Sequence, residues 1–444
     1  MIKVISYNGS VDQRLIIRSA DTKDRMGIVL KIGMIDVDLL NNGTRHPNLA
    51  QMKMSGYCKS LGHDVHLVYH EDELSNLSDF DFVLVSKVFN FTANPPQLED
   101  MLKKTGRTYL QLNKVDLPVE LSKYVDHRPD STVVHIGGTG FFSDGGQDLA
   151  HVIEHFMPDY DLYLDYVNEK IAEGRTKSYY SDYLDCSIGF LTRGCFRKCS
   201  FCVNKKYDHV FLNTDNVYEF YKRGHKIIYL WDDNFLGYGR RCTGLLDKLI
   251  EVGVPFQFRQ GLDIRLMDHD YADRFMKCKY HGDFIFAFDH IQDKEIITKK
   301  LDIWRQHCTK ETKLYVLCGY DPHCVDDSKY YIHDGETIDD KDYIDICNTF
   351  ERIYILMQHQ CLPYIMRYHD YVQSKYRGMY VQIARWCNQP SIFKKMTFRE
   401  FIIKNLDYVK GDKCASTEAL RIFLEDHPDF PQVYLDMRWA DYKS

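Results

Sequence analysis

Three cysteines within eight residues place the tightest constraint on what this chain can fold into. They are Cys195, Cys199 and Cys202 of the run Gly194-Cys195-Phe196-Arg197-Lys198-Cys199-Ser200-Phe201-Cys202. The spacing is C-x3-C-x2-C, so the fold has to present one short loop whose thiolates face a common site. Thiolate is a soft ligand that favours iron–sulfur clusters, zinc or copper(I). Three thiolates in one loop can reach three irons of a 4Fe–4S cube, which takes four cysteines when held by protein alone. One iron would then be left for a small molecule. Fourteen cysteines in 444 residues would produce this triplet by chance only about 0.01 times. The competing reading is structural zinc, which wants four closed tetrahedral ligands. Only one cysteine pair has the x2 spacing, with Cys186, His209 or Cys242 as candidate fourth ligands.

The hydrophobic pattern around the loop alternates strand with helix. Apolar runs at 28–35, 65–68, 82–86 and 132–136 suit strands of a parallel sheet buried on both faces. Residues 48–61 between the first two have helical spacing, and Gly62 suits the helix stop. This predicts a doubly wound, Rossmann-like domain over 26–170, preceded by an arm at 1–25. A polar stretch at 171–185 reads as a linker. Six further apolar runs follow at 187–191, 226–231, 256–260, 284–288, 313–317 and 362–366. Spacings of roughly 25–45 residues fit β/α units. They predict a partial (β/α)6 barrel over 186–395, its first strand feeding the cysteine loop. Residues 396–444 read as a helical extension, with Phe398, Phe401 and Leu406 on its apolar face.

A chain of 444 residues is too long for one core, which fits two or three domains. Hydrophobic residues at 44% and charged residues at 27% are ordinary for a globular protein. No run approaches the length of a membrane span, and Met1-Ile2-Lys3-Val4-Ile5 lacks the features of a signal peptide. The remaining cysteines show no disulfide-like framework, so a cytoplasmic location is expected. A net charge of −7 argues against broad nonspecific nucleic-acid binding. The 32 tyrosines are expected mainly in cores and half-buried surfaces.

Parallel α/β folds place their sites at the carboxyl ends of strands. Asp232 and Asp233 follow the second strand of the later series. They suit ribose hydroxyls or a substrate amine, or equally an Asx turn capping the next helix. Arg259, Gln260 and Arg265 follow the third. An arginine there suits a carboxylate partner, and a structural salt bridge to Asp263 fits as well. Asp289-His290, Cys318-Gly319-Tyr320 and Tyr368-His369 follow the last three strands. A lone histidine in such a place is more often packed or on the surface than catalytic.

The cysteine motif, with Phe201 just before the third cysteine, resembles that of the radical S-adenosylmethionine superfamily. Four further segments narrow the resemblance over 28–410: His46-Pro47-Asn48-Leu49-Ala50, Gly137-Gly138-Thr139-Gly140, Gly189-Phe190-Leu191-Thr192-Arg193-Gly194-Cys195 and Asp232-Asp233-Asn234-Phe235. They are similar to members that carry an amino-terminal cobalamin-binding-like domain. The resemblance implies that Cys195, Cys199 and Cys202 hold a 4Fe–4S cluster and that Phe201 lies near adenine. It also implies reductive cleavage of S-adenosylmethionine to a 5′-deoxyadenosyl radical that abstracts hydrogen. An external reductant such as flavodoxin or ferredoxin is the expected partner. Cobalamin domains with a histidine cobalt ligand use Asp-x-His-x-x-Gly after their first strand. Here the stretch Asp36-Val37-Asp38-Leu39-Leu40-Asn41-Asn42-Gly43 lacks that histidine, and Asp321-Pro322-His323 has only part of the pattern. Cobalamin is therefore allowed but not favoured. The glycines at 137–140 suit either close approach to a ligand or a tight turn. A small metabolite or natural-product intermediate is the favoured substrate. A nucleic acid or a peptide is the alternative, and a zinc-stabilised binding protein is the reading outside enzymology.

Overall fold

A computed structural model describes residues 27–104, 116–142, 146–204, 206–320, 332–333, 336–337, 340–404 and 415–442. The expected arm at 1–25, Asp321-Pro322-His323 and Leu406 lie outside the described residues. The chain divides into two compact units, one running to Gly174 and one starting at Arg175.

The first unit is built on four parallel strands, β1 (Lys31–Asp36), β2 (Asp64–Val68), β3 (Phe82–Ser86) and β4 (Val133–Gly137). Their order across the sheet is β2-β1-β3-β4, all neighbours parallel. The two central strands are covered on both faces, and β1 is buried from Ile32 onward, whereas β2 at the edge exposes Asp64 and His66. Every residue of β3 is buried. Helix α1 (Leu49–Ser60) crosses from β1 to β2, and the side chain of Asn48 caps it by accepting from the Gln51 amide. Gln51 is fully buried and donates to the carbonyls of Ile35 and Leu84, which ties α1 to β1 and β3.

The parallel strands described in the second unit are β5 (Cys186–Gly189), β6 (Ile227–Leu230), β7 (Phe256–Phe258), β8 (Phe284–Ala287), β9 (Thr312–Cys318) and β10 (Leu362–Arg367). They pair in parallel as β5-β6-β7 and β8-β9-β10. A parallel bridge between Leu262 and Phe286 joins the two sets. The order in the sheet is thus the order in the chain, as successive β/α units dictate.

Residues alternate between the two faces. Ile228, Leu230, Phe256, Phe258, Phe284, Phe286, Leu314 and Val316 are buried in one apolar cluster. The helices contribute to it through Leu245, Leu249, Phe275, Trp304 and Phe350. The opposite face carries Tyr229, Gln257, Tyr315 and Tyr364, and Tyr364 stays 43% exposed.

One expectation changes in the structure. The stretch expected as a polar linker contains helical turns at Lys177–Tyr180 and Ser181–Leu184 that lead directly into β5. Tyr180 and Tyr183 are buried there, because each ring needs cover that an extended linker cannot give. The described residues of the stretch read as a helical C-terminal extension include the helices Phe398–Lys404, Ala415–Asp426 and Gln432–Asp436. Phe398, Phe401 and Phe423 share the strand core with Phe350 and Trp386.

Candidate functional site

The cysteine loop leaves the end of β5 and returns through a two-residue antiparallel ladder, Thr192–Arg193 against Phe211–Leu212. Gly194 opens the excursion at φ +86°, and a Cβ there would stand 2.3 Å from the His209 carbonyl oxygen. Only glycine combines that left-handed conformation with that closeness. All three cysteines are half-buried and free. The Arg197 amide donates to Cys195 Sγ at 3.3 Å, and the Asn204 amide to Cys202 Sγ at 3.4 Å. Burial pushes the Cys199 and Cys202 thiols up, and the charge of Asp289 adds to the shift at Cys199. A metal bound here must therefore displace thiol protons.

The turn after β6 holds the approach to this loop, one residue after another. Asp232 is 1% exposed; its Oδ1 accepts from the Thr192 amide at 2.6 Å and hydroxyl at 2.7 Å, its Oδ2 from the Leu191 amide at 3.2 Å. Burial nevertheless raises its carboxyl to about 7. Asp233 accepts from the Gly194 amide at 2.7 Å. Asn234 caps the next turn by accepting from the Gly237 amide and donates Nδ2–H to Cys195 Sγ at 3.3 Å. The capping expected of this turn thus falls to Asn234. Asp232 and Asp233, expected to meet a ribose or an amine, face the backbone leading to Cys195. Their signal in the sequence was adjacency: three polar residues at a strand end.

The residues after β7 separate in the same way. Arg265 pairs with Asp263 at 2.7 Å and with Asp293 at 2.7 Å, so the salt-bridge reading describes its observed contacts. The other oxygen of Asp263 takes Arg197 of the cysteine loop at 2.9 Å. Arg259 lies over the Tyr229 ring at 4.5 Å and donates to Gln257 Oε1 at 3.3 Å. Gln260 is exposed.

Phe201 brings the remaining strand ends together. Its ring centroid is 5.7 Å from His290, after β8, and 5.4 Å from Tyr320, after β9. Tyr320 in turn packs on Tyr368, after β10, at 4.7 Å. Burial lowers His290 from its ordinary value, which keeps it neutral through more of the physiological range. The fully buried Arg352 sits behind this wall and donates to the carbonyls of Phe288 and Asp289 at 3.1 and 2.5 Å. It fixes the backbone at the end of β8.

Of the candidate fourth zinc ligands, Cys242 is buried with its thiol donating to the Phe235 carbonyl, Cys186 is buried beside Asp182, and His209 contacts Asp208. Two H-x3-H pairs, His66/His70 and His151/His155, lie in the first unit. Among the described residues no three His, Cys, Asp or Glu side chains converge closely enough to enclose a single metal ion.

In the first unit the glycine run is filled by the chain itself. A Cβ on Gly138 would stand 2.2 Å from the Lys87 carbonyl oxygen, and one on Gly140 would meet the Lys87 side chain at 2.6 Å. Asp38 accepts from the Val88 amide at 2.6 Å and the Thr92 hydroxyl at 2.6 Å, holding the same loop. Close packing against Lys87 accounts for Gly138 and Gly140, whereas a Cβ on Gly137 would meet nothing within 4 Å.

No family model matches the sequence, and no curated protein matches it. Two of the solved structures that resemble the chain are of one enzyme. One is the radical S-adenosylmethionine methyltransferase TsrM from Kitasatospora setae with cobalamin and a 4Fe–4S cluster bound. It is 11% identical at a TM-score of 0.45, over 77% of this chain and 75% of that one. The other is the same enzyme with tryptophan substrate and a SAM analogue, 12% identical at 0.44, over 74% and 71%. Likeness this loose assigns no residue a role; the roles rest on local geometry.

Proposed function

We propose that the chain is a radical S-adenosylmethionine enzyme, and that β5 to β10 form the open (β/α)6 barrel of that class. The observation that carries the reading is the cysteine loop itself. Three half-buried thiols at C-x3-C-x2-C leave the end of the first strand of a sequential parallel sheet, with N–H groups directed at two of the sulfurs. The donor set is all thiolate and one short of a closed site, which fits a 4Fe–4S cluster with an open iron.

When bound, such a cluster supplies the electron that cleaves the sulfonium of S-adenosylmethionine. The chain supplies position and enclosure. Cys195, Cys199 and Cys202 hold the cluster. Asp232, Asp233 and Asn234 set the height of the loop, and Asp263 ties it laterally through Arg197. Phe201, His290, Tyr320 and Tyr368 wall one side with aromatic surface suited to a purine. Arg259, Gln260 and the face bearing Tyr315 and Tyr364 are the proposed contacts for cofactor carboxylate and substrate. A small metabolite remains the preferred substrate class, and a low-potential flavodoxin or ferredoxin the reductant.

Cobalamin is a separate question. The first solved neighbour carries it, so the expectation that disfavoured it finds no support in the comparisons. In this chain Asp38, Gly138 and Gly140 are turned toward the chain's own loop at 87–92. Cobalamin retained through gel filtration, read by its visible absorbance, would place the ligand in this protein.

The deciding experiment is anaerobic. Protein loaded with iron and sulfide is reduced with dithionite and given S-adenosylmethionine, and the products are separated by chromatography. 5′-Deoxyadenosine above the level of Cys199→Ala supports the reading. S-adenosylhomocysteine in its place moves the enzyme to methyl transfer, the activity named for the solved neighbours. Cys199→Ala is expected to lose both iron and product; a variant that keeps both overturns the proposal. Zinc at one per chain and no brown colour would hand the site to a binding protein.

A further inference from the structure

We infer that Asn234 is a positioning residue that sets the electron affinity of the iron–sulfur centre through Cys195. The inference rests on the functional reading above. The amide of Asn234 has its orientation decided by its neighbours. Its oxygen accepts from the Gly237 amide at 3.2 Å, and a backbone N–H can be met only by the oxygen. The NH2 group therefore faces Cys195 Sγ, 3.3 Å away. The residue is 4% exposed, so water has little access to replace that donor. A Cβ at Gly237 would stand 3.1 Å from Asn234 Cγ and 3.0 Å from the Phe196 ring, which shows how closely the amide is clamped.

The cap alone does not require asparagine. Serine or aspartate serves the same N-cap position comparably, whereas only the longer amide accepts from Gly237 and still reaches the sulfur with an N–H donor. A thiolate accepts a hydrogen bond more strongly as its negative charge grows. Reduction adds one electron to the cluster and no proton, and part of that charge resides on the ligating sulfurs. The bond from Asn234 thus stabilises the reduced form more than the oxidised one, and hydrogen bonds to the sulfurs are among the levers that set cluster potentials.

The test compares full-length wild type with Asn234→Ser and Asn234→Asp, all reconstituted anaerobically and titrated with dithionite under the resonance signal of the reduced cluster. Asn234→Ser keeps the cap, but its hydroxyl ends one atom short of the amide nitrogen and withdraws the donor from the sulfur. Its midpoint is expected to move to more negative potential by about tenfold in the reduction equilibrium, or about 59 mV for one electron. Iron content and thermal midpoint are expected to stay near wild type, because the cap is kept and Asp232 and Asp233 still hold the loop. Asn234→Asp keeps the shape and the cap, reverses the donor and adds a negative charge, so its shift is expected to be larger in the same direction. An unchanged or raised midpoint in Asn234→Ser overturns the inference and leaves the functional reading standing. If the serine variant takes up no iron, the aspartate variant decides by the same criterion. Loss of the cluster from both variants with folding intact assigns Asn234 a purely structural role and also overturns it. A wild-type chain that binds no iron overturns the functional reading, and this inference with it.

Discussion

Asp36 and Asp232 show how burial changes a single carboxylate. Both carry their carboxyl near pH 7, with burial as the largest cause. Asp36 receives a hydrogen bond from the Tyr163 hydroxyl at 3.0 Å and caps Leu39, yet loses enough water to offset both. The consequence for stability has a definite sign. An unfolded aspartate releases its proton near 3.8, whereas folded Asp36 keeps it to about 7. Between those values the native state binds the extra proton, so stability falls as pH rises from about 4 to about 7. Urea midpoints measured from pH 5 to pH 8 are expected to decline in the wild type and to decline less in Asp36→Asn. Equal slopes would show that Asp36 ionises as a free carboxylate does.

At the scale of elements, the cysteine loop is held by the turns after two neighbouring strands. The turn after β6 acts through Asp232, Asp233 and Asn234. The turn after β7 acts through Asp263, whose side chain is 8% exposed and lies between Arg197 and Arg265. Replacing it with asparagine leaves two arginines facing a neutral group. The expected cost is about 1–3 kcal/mol, since both guanidinium groups keep some access to water. The change should appear twice, as a lower urea midpoint of the cluster-free protein and as faster loss of iron to a chelator. A midpoint that drops while iron retention stays unchanged would show that Asp263 supports the fold without supporting the loop.

For the molecule as a whole, the contact pattern divides the chain at Gly174. The large apolar cluster runs from Leu191 to Trp439 and draws on residues of the second unit alone. The first unit has its own cluster, built around Ile35, Val83 and Ile136. Residues 175–444 expressed alone are therefore expected to fold cooperatively and to take up iron at the three cysteines. A fragment that aggregates, or that binds no iron while the full chain does, would show that the site needs the first unit. Among the described residues no helix is long and apolar enough to cross a membrane.

Much of this was legible in the chain itself, for reasons local to each element. Buried parallel strands are rich in apolar residues, so the ten strands β1 to β10 were visible as runs; the run at 82–86 coincides with Phe82–Ser86. Three cysteines in one loop mark a candidate soft-ligand set from the sequence alone. What the sequence could not decide was which partner each polar side chain would take. Asp232, Asp233 and Arg265 had credible ligand roles as residue types, and Asn234 stood beside them without distinction. Their contacts with Thr192, Gly194 and Cys195 join segments 39 to 40 residues apart in the chain, and Arg265 turns back to Asp263 two residues before it. Gly138 and Gly140 were equally open until Lys87 came to lie against them. Apolar periodicity is a property of one segment, whereas a hydrogen bond between segments exists only once the strands have brought their ends together. The tertiary structure therefore decided which of the polar residues at the strand ends hold the chain and which face outward.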